Sequence, residues 1–363
     1  MVKVLPKARM QDVARLAGVG LMTVSRALNK SGPVSEEVQR KVQQAVAQLN
    51  YRPNEAARSL RQGRSRSIGL IVPNFYDPFY AVCAHAVTVV ANEHAYSVMV
   101  TTSDDEPENE YRVAGSMLLR HVEGILVIPA VGGKTKLSHE EFRSTPIVTL
   151  DQPLQGDHFS SVVVANRKGA RMGTSHLIEH KHKRICFLGL SRKAFTHRMR
   201  YEGYRQAMLE AKLVPEGYFT SVSREETCAV LRPLMEGPRA PTAFFAGNNL
   251  AMRHLLHALS ELRVEIPGGV AVAGFDDFDM ADIFHPAITV VRQPVNELGR
   301  VAAELLFARL GEKPRTAAGK QIVLPVELVV RRSCGCNARS KVDGHAKGSL
   351  PIETERRVEL LPH

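Results

Sequence analysis

From Ile68 onward, short apolar segments alternate with longer segments of helical periodicity, and this alternation constrains the fold more than any other feature. The apolar segments include SIGLIVP, YSVMVTTS, EGILVIPA and PIVTLDQ, and a second set begins near SSVVVAN. Strands that alternate with helices in this way form parallel sheets, because a parallel connection needs a long crossover. The two sets therefore predict an α/β body with two parallel-sheet lobes.

The body lacks the motifs of nucleotide-dependent or nucleophilic enzymes. No GxGxxG follows the first predicted strand, no GxxxxGK[ST] occurs, and no GxSxG is present. A sugar-processing enzyme would need a catalytic base within a nucleotide or metal site, and the sequence shows no such constellation. We therefore predict no catalytic residue and no cofactor.

The first 67 residues are strongly basic. They contain 13 Lys and Arg against four Asp and Glu, so they carry +9 of the chain's net charge of +11. A basic segment joined to a nearly neutral body is typical of a nucleic-acid-binding module fused to another domain. The sequence therefore predicts that the N-terminal segment binds DNA or RNA.

The same basic segment has the pattern of a helix-turn-helix unit. MQDVARLA and MTVSRAL have helical spacing, and Gly18 between them can adopt a left-handed turn. Ala14 is small enough for the two helices to approach closely, and Val24 supplies a buried branched side chain. SEEVQRKVQQAVAQLNY predicts a third helix that Ser35 caps. We therefore predict an all-α helix-turn-helix head.

In such a head the second helix enters the major groove of DNA, with its first residues at the base edges. Arg26 can make a bidentate contact with guanine. Leu21 and Met22 cannot donate hydrogen bonds, so we expect them to read shape or a thymine methyl group, although Met22 could instead be a core residue. The residues expected to grip phosphates are Thr23, Ser25 and Asn29.

A hinge segment is predicted after the third helix. Pro53 ends that helix, and Asn54 caps the short segment EAARSLRQ, which ends at Gly63. Eight residues are too few for a stable isolated helix, so we expect this segment to fold when DNA and a partner subunit hold it. Leu60 among arginines suits an apolar wedge in the minor groove. The predicted DNA contacts of the hinge helix are Asn54, Ala57, Arg58 and Leu60.

Four of these segments together resemble the LacI family of bacterial transcription regulators. They are DVARLAGVGLMTVSRALN, VSEEVQRKV, LNYRPNEAARSL and SIGLIVP, and the similarity extends from residue 8 to about 334. The resemblance implies a periplasmic-binding-protein-like core whose chain crosses between the lobes three times. The implied domains are 1–53 (head), 54–67 (hinge), 68–334 (core) and 335–363 (disordered tail). Lobe 1 would hold about 68–164 and 293–323, and lobe 2 about 165–292 and 324–334.

The expected effector site lies in the cleft between the lobes, because ligands bind at the carboxyl ends of parallel strands. The resemblance implies that residues at these ends line the pocket. Asp276 and Arg200 can each address two ligand hydroxyls or a carboxylate, although a surface or interlobe salt bridge is the alternative. The candidate effector residues are Phe79, Tyr80, Asp151, His197, Arg198, Arg200, Asn248, Asp276 and Gln293.

Two departures from the family pattern affect the expected effector. The family often has Asn-Asp where this chain has Asn248 and Asn249, and Asp-Asn where it has Ala165 and Asn166. Fewer acids beside retained basic residues shift the expectation slightly from a plain sugar toward a sugar acid or another anionic metabolite.

Two short patterns resemble parts of metal sites. Cys334 and Cys336 form a Cys-x-Cys, and His176 and His180 are spaced i, i+4 on a predicted helix, with His182 following. No second cysteine pair is near the first pattern, and no third ligand is placed by sequence near the second. The ordinary interpretation is reduced thiols and a helix end where histidines suit the dipole. We therefore predict no metal site.

The sequence thus predicts a dimeric transcription regulator, most simply a repressor, controlled by a small-molecule effector. Its partners would be double-stranded, pseudo-palindromic operator DNA, a sugar or sugar acid, and a second copy of the chain. No secretory signal or membrane span is visible, so we expect a cytoplasmic protein. The alternative is a solute-binding protein with a similar core and no regulatory role, which would need an export signal and no basic head.

Overall fold

The computed structural model describes most of the chain. The described residues are 8–29, 31–51, 65–131, 135–154, 159–220, 223–310 and 319–336. They form a small helical head and an α/β body with two sheets, as the sequence predicted.

Three helices make up the head: α1 (Met10–Ala17), α2 (Leu21–Asn29) and α3 (Glu36–Gln48). Gly18 ends α1 with a φ of 65°, a conformation that glycine adopts without steric cost. The Ser35 hydroxyl accepts a hydrogen bond from the Val38 amide at 3.4 Å and so caps α3 as predicted. The buried core of the head consists of Val13, Ala14, Val24, Ala27, Val42, Ala45 and Tyr51.

The first sheet belongs to lobe 1 and has six parallel strands. Its strands are β1 (Ser67–Val72), β2 (Ser97–Thr102), β3 (Gly124–Val127), β4 (Ile147–Leu150), β5 (Ser160–Val164) and β11 (Gln321–Leu324). Their order across the sheet is β11-β5-β4-β3-β1-β2.

The second sheet belongs to lobe 2 and has five parallel strands and one antiparallel edge strand. Its strands are β6 (Ile185–Gly189), β7 (Glu216–Phe219), β8 (Ala243–Ala246), β9 (Ala271–Phe275), β10 (Thr289–Arg292) and β12 (Glu327–Val329). Their order is β12-β10-β9-β8-β6-β7, with β12 antiparallel to β10.

Helices pack on both sheets, so most strand residues are buried on both faces, which is typical of parallel sheets. The helices of lobe 1 are α4 (Pro78–Glu93), α5 (Pro107–Leu119) and α10 (Val295–Arg309), with a short 3₁₀ helix at Glu140–Phe142. Those of lobe 2 are α6 (Asn166–Glu179), α7 (Phe195–Glu210), α8 (Arg224–Glu236) and α9 (Asn249–Glu261).

Close packing of α6 on α7 positions the cleft side of lobe 2. A Cβ atom at Gly203 would lie 2.1 Å from the Arg167 carbonyl oxygen, so only glycine permits this approach. Gly203 follows Arg200 by one helical turn, and Arg167 follows Asn166. The close contact therefore brings the first turn of α6 against the middle of α7, beside Arg200.

The chain passes between the two lobes three times, after β5, after β10 and after β11. The predicted disordered tail began at Gly335, but Gly335 and Cys336 belong to the described part of lobe 2, because Cys336 contacts side chains of α6 and its C-cap. Residues 337–363 lie outside the described residues. Within the described part of the chain, no helix combines the length and apolar character that crossing a membrane requires.

Candidate functional site

Arg200 is the buried cation of the cleft, and three hydrogen bonds hold its Nε and Nη1 within the protein. Its side chain is 3% exposed. Its Nε donates to Asn166 Oδ1 at 2.8 Å, and its Nη1 donates to the Gly247 carbonyl at 2.9 Å and to Asp276 Oδ2 at 3.3 Å. The guanidinium carbon lies 3.9 Å from the centroid of the Phe275 ring, a cation–π arrangement. The burial of this charge is therefore compensated within lobe 2.

The Asp276 carboxylate accepts hydrogen bonds from Arg200 and from the polar groups around it. It follows β9 with a φ of 74°, a left-handed conformation that is uncommon for aspartate. Its Oδ1 accepts from Gln293 Nε2 at 2.5 Å, and its Oδ2 accepts from the Asn249 amide at 3.3 Å as well as from Arg200. Both members of the predicted Arg200–Asp276 pair lie on lobe 2, so the pair shapes one wall of the cleft and does not bridge the lobes.

Buried acceptor oxygens without a partner surround this network. Asp151, which follows β4 on lobe 1 with a φ of 62°, has a buried Oδ1 with no hydrogen-bond partner among the described residues. The same is true of Asn249 Oδ1 and Gln293 Oε1. Buried polar atoms are almost always paired in folded proteins. The three oxygens can only accept, so a ligand rich in hydroxyl donors would satisfy them.

Burial raises the pKa of Asp151 to about 6; the Arg200 charge opposes this shift, and Asp276 and Asp77 add to it. The native state therefore holds this proton more tightly than the unfolded state, and the group reduces stability as pH rises from about 4 to about 6.

Asp151→Asn should therefore stabilise the free protein at pH 7, where the full penalty is present. The expected gain is on the order of 2 kcal/mol, and it should largely vanish near pH 4, where the carboxyl is protonated in both states. Urea denaturation at the two pH values measures this, with the exposed Asp282→Asn as matched control. A variant less stable than the wild type at pH 7 would contradict the assignment.

The two other basic residues expected in the cleft do not add charge there. His197 Nδ1 accepts a hydrogen bond from the Leu190 amide at 3.1 Å. Burial, and then the Arg200 charge, lowers the pKa of His197 to about 3, so the ring is neutral. Arg198 is exposed, and its guanidinium lies 5.9 Å from the Phe195 ring centroid. Among the three predicted cations, Arg200 alone is a buried charge of the cleft.

Asn248 has a structural contact that the sequence reading did not assign to it. Its Oδ1 accepts from the Ala251 amide at 2.9 Å, so it caps α9. The next residue, Asn249, reaches the cleft instead, and its Nδ2 donates to Asp77 Oδ1 of lobe 1 at 3.0 Å. Asp77 also caps α4 through the Phe79 amide at 3.0 Å.

A second hydrogen bond joins the lobes through Gln152. Its Oε1 accepts from the Phe195 amide of lobe 2 at 3.1 Å, and its Nε2 donates to the Pro129 carbonyl of lobe 1 at 3.2 Å. Sequence reasoning missed both Asp77 and Gln152. Asp77 before Pro78 carries an N-cap signal, but no local pattern could pair it with a residue on the other lobe.

Aromatic residues and the Asp276 network line a cavity of about 750 Å³ at the cleft. Phe79 belongs to its lining and packs edge-to-face on Tyr80, with ring centroids 5.4 Å apart. Burial raises the pKa of Tyr80 well above its usual value, and the negative charge of Asp151 raises it further. The cavity lining includes Phe79, Asn249, Asp276, Phe278 and Gln293, together with the basic residues Arg253 and His257. The predicted effector residues Tyr80, Asp151, His197, Arg198, Arg200 and Asn248 are not part of this lining.

The second helix of the head presents apolar side chains to solvent. Met22 exposes 69% of its surface and Leu21 47%, so Met22 is not a core residue. Arg26 and Asn29 are exposed as well, and Asn29 Nδ2 donates to the Ser25 carbonyl at 2.9 Å. Thr23 and Ser25 are half-buried. The predicted hinge contacts Asn54, Ala57, Arg58 and Leu60 lie outside the described residues.

Comparison with known families finds two matches along the chain. Residues 9–54 match the family described as bacterial regulatory proteins, lacI family, and residues 174–334 match the periplasmic binding protein-like domain. The ribose operon repressor of Escherichia coli K12 is 33% identical over 310 residues, which cover 84% of this chain and 93% of the relative.

Two solved structures show the same architecture. The lac repressor dimer bound to operator and the anti-inducer ONPF has a TM-score of 0.80 at 23% identity, covering 91% of this chain and 99% of that chain. The complex of the transcriptional regulator CelR with cellobiose has a TM-score of 0.65 at 28% identity, covering 90% and 100%. The similarity to the lac repressor structure establishes the fold of this chain.

Proposed function

The chain belongs to the lacI family of bacterial regulatory proteins, and on that premise we propose that it is a homodimeric repressor whose operator affinity is set by a neutral sugar bound in the cleft. It regulates transcription by binding and not by catalysis, and it works in the cytoplasm, where its operator DNA lies. The basic head and the recognition helix α2 support the DNA partner.

Two copies of α2 would enter successive major grooves of a pseudo-palindromic operator, about 34 Å apart. Exposed Leu21 and Met22 at the start of α2 suit thymine methyl groups, and exposed Arg26 suits guanine. Paired hinge helices would press Leu60 into the minor groove between the half-sites. The proposed dimer would therefore combine two base-reading heads with a central wedge from the hinge segments.

The observation that carries the effector assignment is the excess of acceptor oxygens in the cleft. Asp151, Asn249 and Gln293 each offer a buried acceptor atom without a partner. The charge of Arg200 is already compensated by Asp276. An anionic ligand would have to compete with Asp276 for Arg200 and would face the carboxylate of Asp151. A neutral polyhydroxyl ligand meets neither difficulty, so a sugar is favoured over the sugar acid that the basic residues had suggested.

The names of similar proteins agree with this class of ligand. One relative is a ribose operon repressor, and one solved neighbour holds cellobiose. In this chain a sugar would join Asp151 of lobe 1 to Asp276 of lobe 2 and to Gln293 at the crossing after β10, beside the existing link between Asp77 and Asn249. A ligand that binds one lobe angle better than another shifts the population toward it, which moves the hinges and changes operator affinity.

A screen of paired ligands tests this proposal. The full chain would be melted with neutral sugars such as ribose, glucose and cellobiose, and with the matching sugar acids. We expect one or more neutral sugars to raise the Tm and the matching acids to leave it unchanged, because a ligand stabilises the native state only at concentrations comparable to or above its Kd. Binding confined to the acids would contradict the proposed pocket chemistry.

A further inference from the structure

Two sequence patterns that are far apart in the chain meet on lobe 2. His176 Nε2 lies 3.3 Å from Cys334 Sγ and 3.2 Å from Cys336 Sγ, and the two Sγ atoms are 3.0 Å apart. His180 Nε2 lies 2.8 Å from Cys336 Sγ. Neither the i, i+4 histidines nor the Cys-x-Cys suffices for a metal site, but the donor atoms of His176, Cys334 and Cys336 lie within 4.8 Å of one another, and His180 lies beside Cys336.

The fold holds this cluster in place from two sides. The histidines come from the last turn and the C-cap of α6, while the cysteines come from the turn after β12. Ser333 anchors that turn, because its hydroxyl donates to the Val272 carbonyl at 2.6 Å and accepts from the Thr289 amide at 2.8 Å. Gly335 has a φ of 81°, so the chain can reverse between the two cysteines.

Neighbouring groups prepare the donor atoms for a metal ion. His180 Nδ1 lies 2.8 Å from the His176 carbonyl oxygen, which can only accept. The hydrogen must therefore be on Nδ1, and the lone pair is on Nε2, the atom near Cys336. Thr289 Oγ1 accepts from the Arg331 amide at 2.9 Å and donates to Cys334 Sγ at 3.2 Å. Hydrogen bonds such as these two, from His180 Nδ1 and to Cys334 Sγ, hold metal ligands in the orientation that binding needs.

We propose that His176, Cys334 and Cys336 bind one zinc ion on lobe 2, and that the exposed ring of His180, which already contacts Cys336, turns toward the ion to complete a tetrahedral site. Two sulfur and two imidazole donors suit zinc and do not suit calcium or magnesium, which take oxygen ligands. Zinc–sulfur bonds of about 2.3 Å and zinc–nitrogen bonds of about 2.0 Å require donor atoms roughly 3.3 to 3.8 Å apart. The three clustered donor atoms are 3.0 to 3.3 Å apart, so they need small outward movements, and His180 has an exposed ring that can turn toward the ion.

Such an ion would join the turn after β12 to the C-terminal end of α6. His176 lies ten residues along α6 from Asn166, so the site is about 15 Å along the helix from the residue that contacts Arg200. Four protein ligands close the coordination sphere, which is the pattern of a structural ion and not of a catalytic one. The proposal does not depend on the regulatory function of the chain.

Cobalt(II) is the probe that tests the site, because it replaces zinc and reports its ligands by colour. The full chain would be reduced, stripped with a chelator and titrated with cobalt, then with zinc. We expect one cobalt per chain, with tetrahedral d–d bands and thiolate-to-cobalt charge transfer, displaced by one zinc.

Variants with a matched control decide which residues bind. Cys336→Ser and His176→Ala should weaken cobalt binding at least about 100-fold, and His180→Ala at least about tenfold. Cys228→Ser removes a thiol on α8 that contacts Glu261 at 3.3 Å, and it should leave binding unchanged. Circular dichroism confirms that each variant is folded, and the exposed His180 is the substitution least able to disturb the core.

Three results would overturn the proposal. The first is a wild-type chain that shows no thiolate-to-cobalt band. The second is unchanged cobalt affinity in folded Cys336→Ser. The third is a Cys334–Cys336 disulfide, detected by thiol counting in protein purified without reductant, because the oxidised pair cannot ligate the ion.

Discussion

Arg200→Ala is expected to abolish the response to effector while operator binding remains. The substitution removes the donor that holds Asn166, the Gly247 carbonyl and Asp276 together at one wall of the cleft. Truncating one member of a buried, hydrogen-bonded charge pair typically costs about 2 to 5 kcal/mol in binding, so effector affinity should fall at least about 30-fold. Isothermal titration with the sugar found in the ligand screen measures this loss.

The exposed neighbour provides the control for this experiment. Arg198→Ala removes the same charge from the same helix turn, but Arg198 is exposed and contacts only the Phe195 ring among the interactions described for it. We expect its effector affinity to stay within about twofold of the wild type. Equal losses in the two variants would show that the cleft responds to net charge and not to the Arg200 network. Retained operator affinity in Arg200→Ala establishes that the variant is folded, since leaving Asp276 buried alone costs stability as well.

Arg26→Ala is expected to weaken operator binding by roughly 10- to 100-fold and to relax base preference at one position of each half-site. Arg26 is exposed one turn after the start of α2, where a guanidinium can contact guanine in the major groove. One good bidentate contact contributes about 1 to 3 kcal/mol of discrimination. Competition gel shifts against every single-base variant of the operator measure both effects.

Arg15→Ala is the matched control for base reading. Its side chain is 82% exposed on α1 and pairs with Asp12 at 3.7 Å. Removing either arginine lowers the positive charge of the head by one, so the operator affinity of both variants should depend less steeply on salt concentration. Only Arg26→Ala should change the order of preference among bases. If Arg26→Ala keeps the same order of base preference as the wild type, Arg26 does not read bases.

The elements of the fold were predictable because their signals are local. The helical spacing of the head, Gly18 at the turn and Ser35 at the cap act within a few residues, and each appears in the structure as expected. The alternating apolar segments likewise predicted both parallel sheets, and the fold class is confirmed. Membership of the lacI family confirms the prediction of a transcription regulator.

The chemistry of the cleft was predictable only in part. Asp151 and Asp276 were identified because each directly follows a predicted strand, and Arg200 because it lies on the helix after one. Ligands bind at the carboxyl ends of parallel strands. Asn248 and Asn249 differ by one position, and only the three-dimensional structure separates the helix cap from the cleft residue. The protonation of His197 was equally inaccessible, because it depends on burial that no local pattern encodes.

The cluster of His176, His180, Cys334 and Cys336 shows the same limit more strongly. The two halves lie more than 150 residues apart, and each was reasonably interpreted as ordinary by itself. Only the packing of the turn after β12 on α6 brings the two cysteines beside the two histidines.

The measurement that tests the account most directly is operator affinity as a function of sugar concentration. Fluorescence anisotropy of a labelled operator, selected from random DNA by the purified chain, gives the Kd with and without saturating sugar. We predict a pseudo-palindromic selected site and a change in Kd of about tenfold or more, with operator changing sugar affinity by the same factor, as linkage requires. A chain that binds the sugar but shows no sequence-specific DNA binding, or the same operator Kd at every sugar concentration, would contradict the account.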